Sequence, residues 1–345
     1  MPGDPRTDVG PEFPAWLPGL LGLAPPPWTG QLEVHGARYE ARAGVLRSAA
    51  SVSATQEDTA SAFAYKWSQR SSFESEASRA RARAWLLERY GDVAAQPWWR
   101  ALPAGALLVD AGCGAGLSAL ELFGEALRPH CYLGVEISAA VDLARSRFRA
   151  RGLDGAFVQG DLCARPLPPA AADVILAEGV LHHTDSTRGA LRALVPFLKP
   201  GGRLLFYVYR RKGPIREFTD DYVRARVQSM SGEEAWAALL PLTRLGVALG
   251  ELGARIEVPE AIGLLDIPAG SHDLQRLFYW HVAKAFYRPD LTIEEMNHIN
   301  FDWYAPANAH RQSPEEVRTW CEEAALEIER EVVEDAGVTI IARRA

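Results

Sequence analysis

The sequence predicts an α/β fold with a parallel sheet, because short apolar runs alternate with segments of helical composition. The most informative run, Leu107 to Ala111, leads directly into glycines at positions 112, 114 and 116. A segment suited to a helix follows, with Leu117 and Leu120 at helical spacing. Glycines at a strand-to-helix turn let the backbone approach a ligand closely, because no Cβ stands in the way.

The glycine spacing and the acid before it indicate the charge of such a ligand. The pattern is Gly-x-Gly-x-Gly, which differs from the Gly-x-Gly-x-x-Gly of dinucleotide-binding turns. Asp110 stands two residues before the first glycine. A carboxylate at that place suits a cationic ligand better than a pyrophosphate, because opposite charges attract.

Three further apolar runs end at acidic residues. The second run, 131–135, ends at Glu136, about 20 residues past the glycines, where nucleoside-binding βαβ units place an acceptor for ribose hydroxyls. The third run, 156–160, leads to Asp161, and the fourth, 173–177, leads to Glu178. Since ligands bind at the carboxyl ends of parallel strands, we expect these acids to meet at one site.

The C-terminal part of the chain predicts the rest of the sheet. A fifth strand, 204–208, follows the sequence Leu-Lys-Pro-Gly-Gly at 198–202. A helix is predicted over 315–325, with Ser313 as its N-cap and Pro314 at its first position. Two strands, 328–333 and 338–342, come last and are separated by a short polar turn.

Together these motifs resemble the small-molecule branch of the class I S-adenosylmethionine (SAM)-dependent methyltransferases, over residues 56–209 and 311–345. The resemblance implies a Rossmann-like, seven-stranded sheet with an antiparallel last strand. It also implies SAM as cofactor, with the adenine amino group bonded to Asp161 and the ring against Leu162. By the same resemblance, the strand-end residues that would contact SAM are Asp110, Gly112, Gly114, Glu136, Ile137, Asp161, Leu162 and Glu178.

Residues 1–91 are predicted to form an N-terminal arm and a lid. Residues 1–55 are an arm with a hairpin over 31–47. The resemblance implies a small zinc-ribbon module at this place, and the hairpin is interpreted as its metal-free remnant because residues 1–100 contain no cysteine. Two helices follow, and the first carries Phe63, Tyr65 and Trp67. The resemblance implies a lid over the SAM methionine moiety, with Tyr65 and Arg70 as contacts. Simple packing of the aromatic rings and a solvated Arg70 are the alternatives.

Residues 210–310 are an insertion of helical composition, with helices predicted over 216–230, 232–240, 242–252 and 273–286. Because the insertion follows the fifth strand, it is predicted to form a cap over the carboxyl ends of the strands. The cap is rich in aromatic residues, and we expect Tyr222 and Tyr304 to face a substrate. Most of the other rings are expected to form the core of the cap.

The catalytic candidates lie after the fourth strand and on the fifth. His182 is a candidate base, since an imidazole titrates near neutrality, and His183 is a candidate substrate contact. Tyr207 and Tyr209 share one face of the fifth strand and are the other catalytic candidates. The alternative is that the histidines pack against the next helix and the tyrosines pack under the cap. Glu294 and His298 stand at a chelating spacing on a helix, but we expect no bound metal.

The composition excludes several other functions. The net charge is −7 without a long basic run, so a nucleic-acid partner is not predicted. The four cysteines are scattered, which fits a reducing cytoplasm. The first residues lack the pattern of a signal peptide, and no apolar run reaches the length of a membrane span. The oligomeric state remains open.

The functional hypothesis is therefore a SAM-dependent methyltransferase acting on a small molecule, such as an amino-acid-like or secondary-metabolite compound. Two alternatives stay open. In the first, SAM is itself the substrate and is cyclised to azetidine-2-carboxylate with release of methylthioadenosine. In the second, the chain is a non-catalytic SAM-binding partner protein, although the predicted SAM-contacting acids are all present.

Overall fold

The computed structural model describes residues 12–164 and 167–345. The first eleven residues of the predicted arm lie outside this part of the chain. No helix in the described ranges combines the length and apolar character needed to cross a membrane. The strands are β1 (Gly30–Val34), β2 (Ala37–Arg42), β3 (Val45–Ser48), β4 (Leu107–Ala111), β5 (Cys131–Glu136), β6 (Gly155–Gln159), β7 (Ala172–Glu178), β8 (Leu198–Tyr209), β9 (Arg255–Val258), β10 (Gly270–Asp273), β11 (Leu326–Val333) and β12 (Gly337–Arg344).

The main sheet has the strand order β1-β2-β3-β6-β5-β4-β7-β8-β12-β11. The strands from β3 to β8 are parallel to one another, whereas β12 pairs antiparallel with β8 and with β11. The predicted α/β fold with an antiparallel last strand is therefore confirmed. Because the crossovers cover both faces, the central strands β4 and β5 are almost entirely buried.

The sheet has ten strands, whereas the sequence predicted seven. The three additional strands, β1 to β3, form an antiparallel meander where the sequence predicted a hairpin. Its last strand, β3, pairs in parallel with β6 and extends the sheet. Val45 and Leu46 are buried there, so the meander covers an edge that would otherwise expose unpaired backbone groups. The segment around residues 30–48 is therefore part of the main sheet.

The helices are α1 (Leu17–Leu21), α2 (Ala54–Ser68), α3 (Glu76–Tyr90), α4 (Pro97–Arg100), α5 (Leu117–Leu122), α6 (Ala140–Ala150), α7 (Thr187–Leu194), α8 (Pro214–Val227), α9 (Gly232–Glu251), α10 (Leu274–His281), α11 (Ile293–Tyr304) and α12 (Pro314–Glu323). The predicted N-cap at Ser313 is confirmed, and its hydroxyl accepts a hydrogen bond from the backbone N–H of Glu316. Glu316 completes the capping box by accepting from the backbone N–H of Ser313.

The cap differs from its prediction at two places. Helix α9 runs unbroken through Pro241, where the sequence predicted two helices. Packing against α11 outweighs the lost backbone hydrogen bond, since the Thr243 hydroxyl bonds both Asn297 and Asn300 at 2.7 and 2.8 Å. In addition, β9 and β10 form a hairpin, and α10 ends at His281 instead of residue 286.

Three apolar clusters hold these layers together. Two of them lie on opposite faces of the main sheet. The third joins the cap to the end of β8, where Tyr207 and Tyr209 pack with Phe301 and Trp303 of α11. Tyr65 of α2 packs against the same cluster. The cap, α2 and the sheet therefore share one apolar contact region at the carboxyl ends of the strands.

Candidate active site

A cavity of about 920 Å³ lies at the carboxyl ends of the parallel strands, within the size range of small-molecule sites. Its floor includes Gly112 and Gly114 after β4, Glu136 at the end of β5, and Asp161 after β6. Glu178 of β7 also reaches the cavity. Helices α2, α3, α10 and α11 supply its walls and roof. The acids at the ends of β5 and β7 and after β6 therefore line one cavity.

The glycine turn after β4 fits closely under helix α2. Gly112 and Gly114 have φ values of +80° and +51°, which side chains rarely adopt. A Cβ at Gly114 would lie 3.0 Å from the indole of Trp67, and a Cβ at Gly112 would lie 2.4 Å from the Val180 side chain. Trp67 therefore covers the turn, as a lid would.

Glu136 is held in place by three donors. One of its oxygens accepts the backbone N–H of Gly114 at 3.0 Å. The other accepts the N–H and the hydroxyl of Ser138 at 2.9 and 2.6 Å. Burial raises the pKa of Glu136, while these hydrogen bonds oppose the shift. A carboxylate has about four lone-pair sites, so one remains for a ligand hydroxyl.

Glu178 and Tyr207 are organised by the buried side chain of Arg89. Its guanidinium carbon lies 3.4 Å from the ring centroids of both Trp85 and Tyr207. Arg89 donates to Glu178 at 3.0 Å, and the hydroxyl of Tyr90 donates to the other Glu178 oxygen. Glu178 is therefore anchored on α3, and the ring of Tyr207 is held flat against a cation.

Asp302 of α11 links the cap to the lid and the sheet. It accepts hydrogen bonds from the ammonium of Lys66 on α2 and, at 2.5 Å, from the hydroxyl of Tyr209 on β8. Burial alone would raise the pKa of Asp302. Lys66 and the other positively charged groups that face Asp302 outweigh burial and hold that pKa well below its usual range. Asp302 is therefore a stable anion in the cavity wall.

Lys284, in the loop after α10, also lines the cavity. Its ammonium lies 4.7 Å from the ring centroid of Trp303. Burial, followed by repulsion from Arg216 and Lys66, lowers the pKa of Lys284 to about 7, although Asp302 opposes the shift. Sequence reasoning missed Lys284 and Arg89, since neither stands in a recognisable motif. It placed Asp302 only in a polar and aromatic segment, 300–304, that borders the substrate in related enzymes.

The structure brings most of the predicted site residues to the cavity wall: Gly112, Gly114, Glu136, Ile137, Asp161, Leu162, Glu178, His183, Tyr207 and Tyr209. The Nδ1–H of His183 donates to the carbonyl of Asn308 at 2.6 Å, so Nε2 is left as an acceptor. That buried Nε2 has no partner among the described residues. His183 is neutral at pH 7 because burial lowers its pKa to about 4.

Three predicted cofactor contacts lie away from the cavity wall. Asp110 lies beneath the glycine turn, where it accepts the hydroxyl of Tyr132 at 2.7 Å. Burial raises the pKa of Asp110 to about 7. Tyr65 points toward Trp236 of the cap, and Arg70 is a largely exposed partner of Glu74. Their sequence positions near the site did not reveal these orientations.

Three more of the predicted site residues, His182, Tyr222 and Tyr304, also lie away from the cavity wall. His182 is fully buried behind Tyr209, with the two ring centroids 3.7 Å apart. Burial holds the pKa of His182 well below its usual value, and among the described residues neither ring nitrogen has a partner. Tyr222 is half-exposed beside Phe218 on the outside of the cap. Tyr304 is buried, and its hydroxyl donates to Asp220 at 2.8 Å.

The spacing of Glu294 and His298 does not form a chelate in the structure. Nδ1 of His298 instead contacts the hydroxyl of Ser72 at 2.8 Å. Across residues 12–164 and 167–345, no group of three or more His, Cys, Asp or Glu side chains is arranged to hold a metal ion.

Comparison with known proteins agrees with this geometry. Residues 109–206 match the family described as "Methyltransferase domain". A phthiotriol/phenolphthiotriol dimycocerosates methyltransferase of Mycobacterium leprae is 29% identical over 137 residues, which are 39% of this chain and 50% of that protein. A malonyl-[acyl-carrier protein] O-methyltransferase of Serratia marcescens is 31% identical over 145 residues, 42% of this chain and 52% of its own.

Among solved structures, the mitomycin 7-O-methyltransferase MmcR is 19% identical, with a TM-score of 0.40 over 78% of this chain and 54% of that one. The chain spans about half the length of the curated relatives it matches. The family match confirms the resemblance found in the sequence. The matched segment, 109–206, begins within β4 and ends within β8, so this part of the chain is similar to a methyltransferase domain.

Replacing the buried Lys284 by methionine is expected to stabilise the protein in a pH-dependent manner. The folded-state pKa is about 7 against the usual 10.5, so the unfolded chain binds more protons between those values and wild-type stability rises with pH there. The Lys284→Met variant lacks this dependence. Its advantage in free energy of unfolding should be on the order of 2 kcal/mol at pH 6 and should shrink by pH 9.

Urea unfolding at the two pH values measures this difference. Lys199→Met is the matched control, because Lys199 is half-exposed and paired with Asp173 at 2.7 Å. A difference between Lys284→Met and wild type that stays constant with pH would show that Lys284 is not held with a lowered pKa.

Proposed function

We propose that this protein transfers the methyl group of SAM to a small molecule held beneath the cap. One observation carries the proposal: a single cavity joins the strand ends of the methyltransferase domain to the aromatic wall of the cap. A site that must hold a cofactor and an acceptor together needs both parts. The cap and the lid helix α2 also restrict the access of water to the cavity.

The chain's own residues fit SAM at the floor of the cavity. Glu136 keeps acceptor capacity for a ribose hydroxyl, and the carboxylate of Asp161, which accepts the N–H of Cys163 at 2.8 Å, keeps further lone pairs for a ligand. Gly112 and Gly114 give the close backbone approach, and Trp67 covers them. When bound, SAM would supply an activated methyl group, so the protein needs no covalent catalysis.

The remaining task of the protein is to align the acceptor and to exclude water. Tyr209 is fixed by its hydrogen bond to Asp302, and Tyr207 is fixed by Arg89. Burial raises the pKa of both hydroxyls, so they stay protonated at neutral pH. We assign them to positioning the reacting groups. His183, with its free Nε2, replaces His182 as the histidine that faces an acceptor.

The enclosed shape of the cavity supports a proposal about the class of the acceptor. The curated relatives are named for acceptors as different as phthiotriol dimycocerosates and malonyl-[acyl-carrier protein], so they leave the acceptor open. We propose a compact acceptor, amino-acid-like or a secondary metabolite, because the cavity must hold SAM as well. The aromatic residues Tyr279, Trp280 and Trp303 on the cap side favour a planar or apolar part in that acceptor.

The products formed from SAM test the proposed reaction. Methyl-labelled SAM is incubated with the protein, alone and with pools of amino acids and aromatic acids. We expect S-adenosylhomocysteine and a labelled small molecule that depend on both the protein and an acceptor. Methylthioadenosine formed without an acceptor, faster than SAM breaks down spontaneously, would contradict methyl transfer and assign SAM cyclisation instead.

The affinity for SAM tests the role of Glu136. Glu136→Gln is expected to weaken SAM binding by about 1.5–3 kcal/mol, because a charged acceptor is lost from buried hydroxyls. Glu121→Gln is the matched control, since Glu121 also lines the cavity but is paired with Arg79 at 2.8 Å. Calorimetric titration of SAM measures both. Equal affinities of the two variants and wild type would contradict the assignment of Glu136 to the ribose.

A further inference from the structure

Three basic side chains surround the ring of Trp303 at the cap end of the cavity. The charged groups of Lys212, Arg216 and Lys284 lie 5.6, 5.4 and 4.7 Å from its centroid. All three side chains line the cavity. The indole N–H donates to Asp220 at 2.7 Å, so the ring is fixed in this orientation.

The carboxylates near these three basic side chains do not pair with all of them. Arg216 is paired with Asp220 at 2.7 Å. The ammonium of Lys212 donates its three N–H groups to backbone carbonyls, those of Arg210 at 2.9 Å, Ala336 at 3.1 Å and Asp335. Among the described residues, neither Lys212 nor Lys284 has a carboxylate within 4.0 Å of its ammonium.

Asp302, the acid of the cavity wall whose charge acts on Lys284, already has hydrogen-bond partners. Asp302 receives hydrogen bonds from Lys66 and Tyr209, and no ion pair joins it to Lys284. Lys284 is only 7% exposed, so water does not solvate its charge well. Lys284 is therefore a buried basic group that has no counter-charge and stands near two other basic groups, and an anion bound beside it would offset their repulsion. The aromatic ring beside them offers only weak compensation.

We propose that Lys284, in the positive field of Lys212 and Arg216, forms a carboxylate-binding subsite, and that the acceptor is a small acid whose planar or apolar part packs on Trp303. This inference rests on the proposed methyl transfer. It narrows the acceptor to compounds that carry a carboxylate near the methyl-accepting group. The ring centroid of Tyr209 lies 4.5 Å from that of Trp303 and 5.5 Å from that of His183, so both residues would stand beside the acceptor.

Two molecules could bring a carboxylate into this cavity: the acceptor and SAM, through its methionine part. A different cation, Lys66, stands beside the glycine turn: its ammonium lies 4.3 Å from the ring centroid of Trp67 and is paired with Asp302. Trp67 packs on Gly114, whereas Lys284 packs on Trp303 of the cap. The cluster around Trp303 is therefore assigned to the acceptor.

The test uses protein saturated with S-adenosylhomocysteine and three probe acids: benzoate, 4-hydroxybenzoate and phenylacetate. Each acid is compared with its uncharged amide by calorimetric titration. At least one acid is expected to bind about ten-fold tighter than its amide. Lys284→Met should abolish that preference, Lys284→Arg should restore it, and the control Lys199→Met should leave it unchanged.

Two results would overturn the subsite. In one, no probe acid binds better than its amide to the wild-type protein. In the other, Lys284→Met weakens S-adenosylhomocysteine but not methylthioadenosine, which would assign the cluster to the cofactor's own carboxylate. A preliminary titration measures whether the wild-type protein binds S-adenosylhomocysteine at all. If it does not bind, that result contradicts the proposed function itself.

Discussion

The carboxylate of Asp302 is the interaction on which the closed cavity depends. It belongs to α11 of the cap, yet it accepts hydrogen bonds from Lys66 on the lid helix α2 and from Tyr209 at the end of β8. The carboxylate of one residue thus joins three separate parts of the chain around one space. Because Lys66 is buried beside it, loss of the negative charge would leave an uncompensated cation and favour separation of the lid from the cap.

The sheet and the cap contribute in different ways. The sheet presents Glu136, Asp161 and the glycine turn from strand ends that are held by continuous backbone pairing, so these groups keep their positions without a ligand. The cap brings a fixed aromatic ring, Trp303, with cations around it. The first set suits a cofactor shared by many methyltransferases. The second set differs in chemistry, since it is cationic and aromatic, and it is the part that would distinguish one acceptor from another.

Local signals made the sheet and the cofactor end predictable from the sequence. The glycine turn, Glu136 and Asp161 each follow an apolar strand directly, so their positions needed no knowledge of distant contacts. Asp302 and Lys66 stand 236 residues apart, and no local pattern reveals that they meet. His182 and His183 are neighbours with the same side chain, yet only His183 reaches the cavity, because the ring of Tyr209 covers His182. Pro241 likewise predicted a helix break that packing against α11 overrode.

Hydrogen–deuterium exchange of the Asp302→Asn variant tests most directly whether Asp302 holds the lid. Asp290→Asn is the matched control, because Asp290 also lines the cavity but pairs with Arg288 near the surface. The account predicts that amides of residues 63–68 in α2 exchange about ten-fold faster in Asp302→Asn than in wild type, while those of β4 to β7 are unchanged. Unchanged protection of α2 in Asp302→Asn would contradict it.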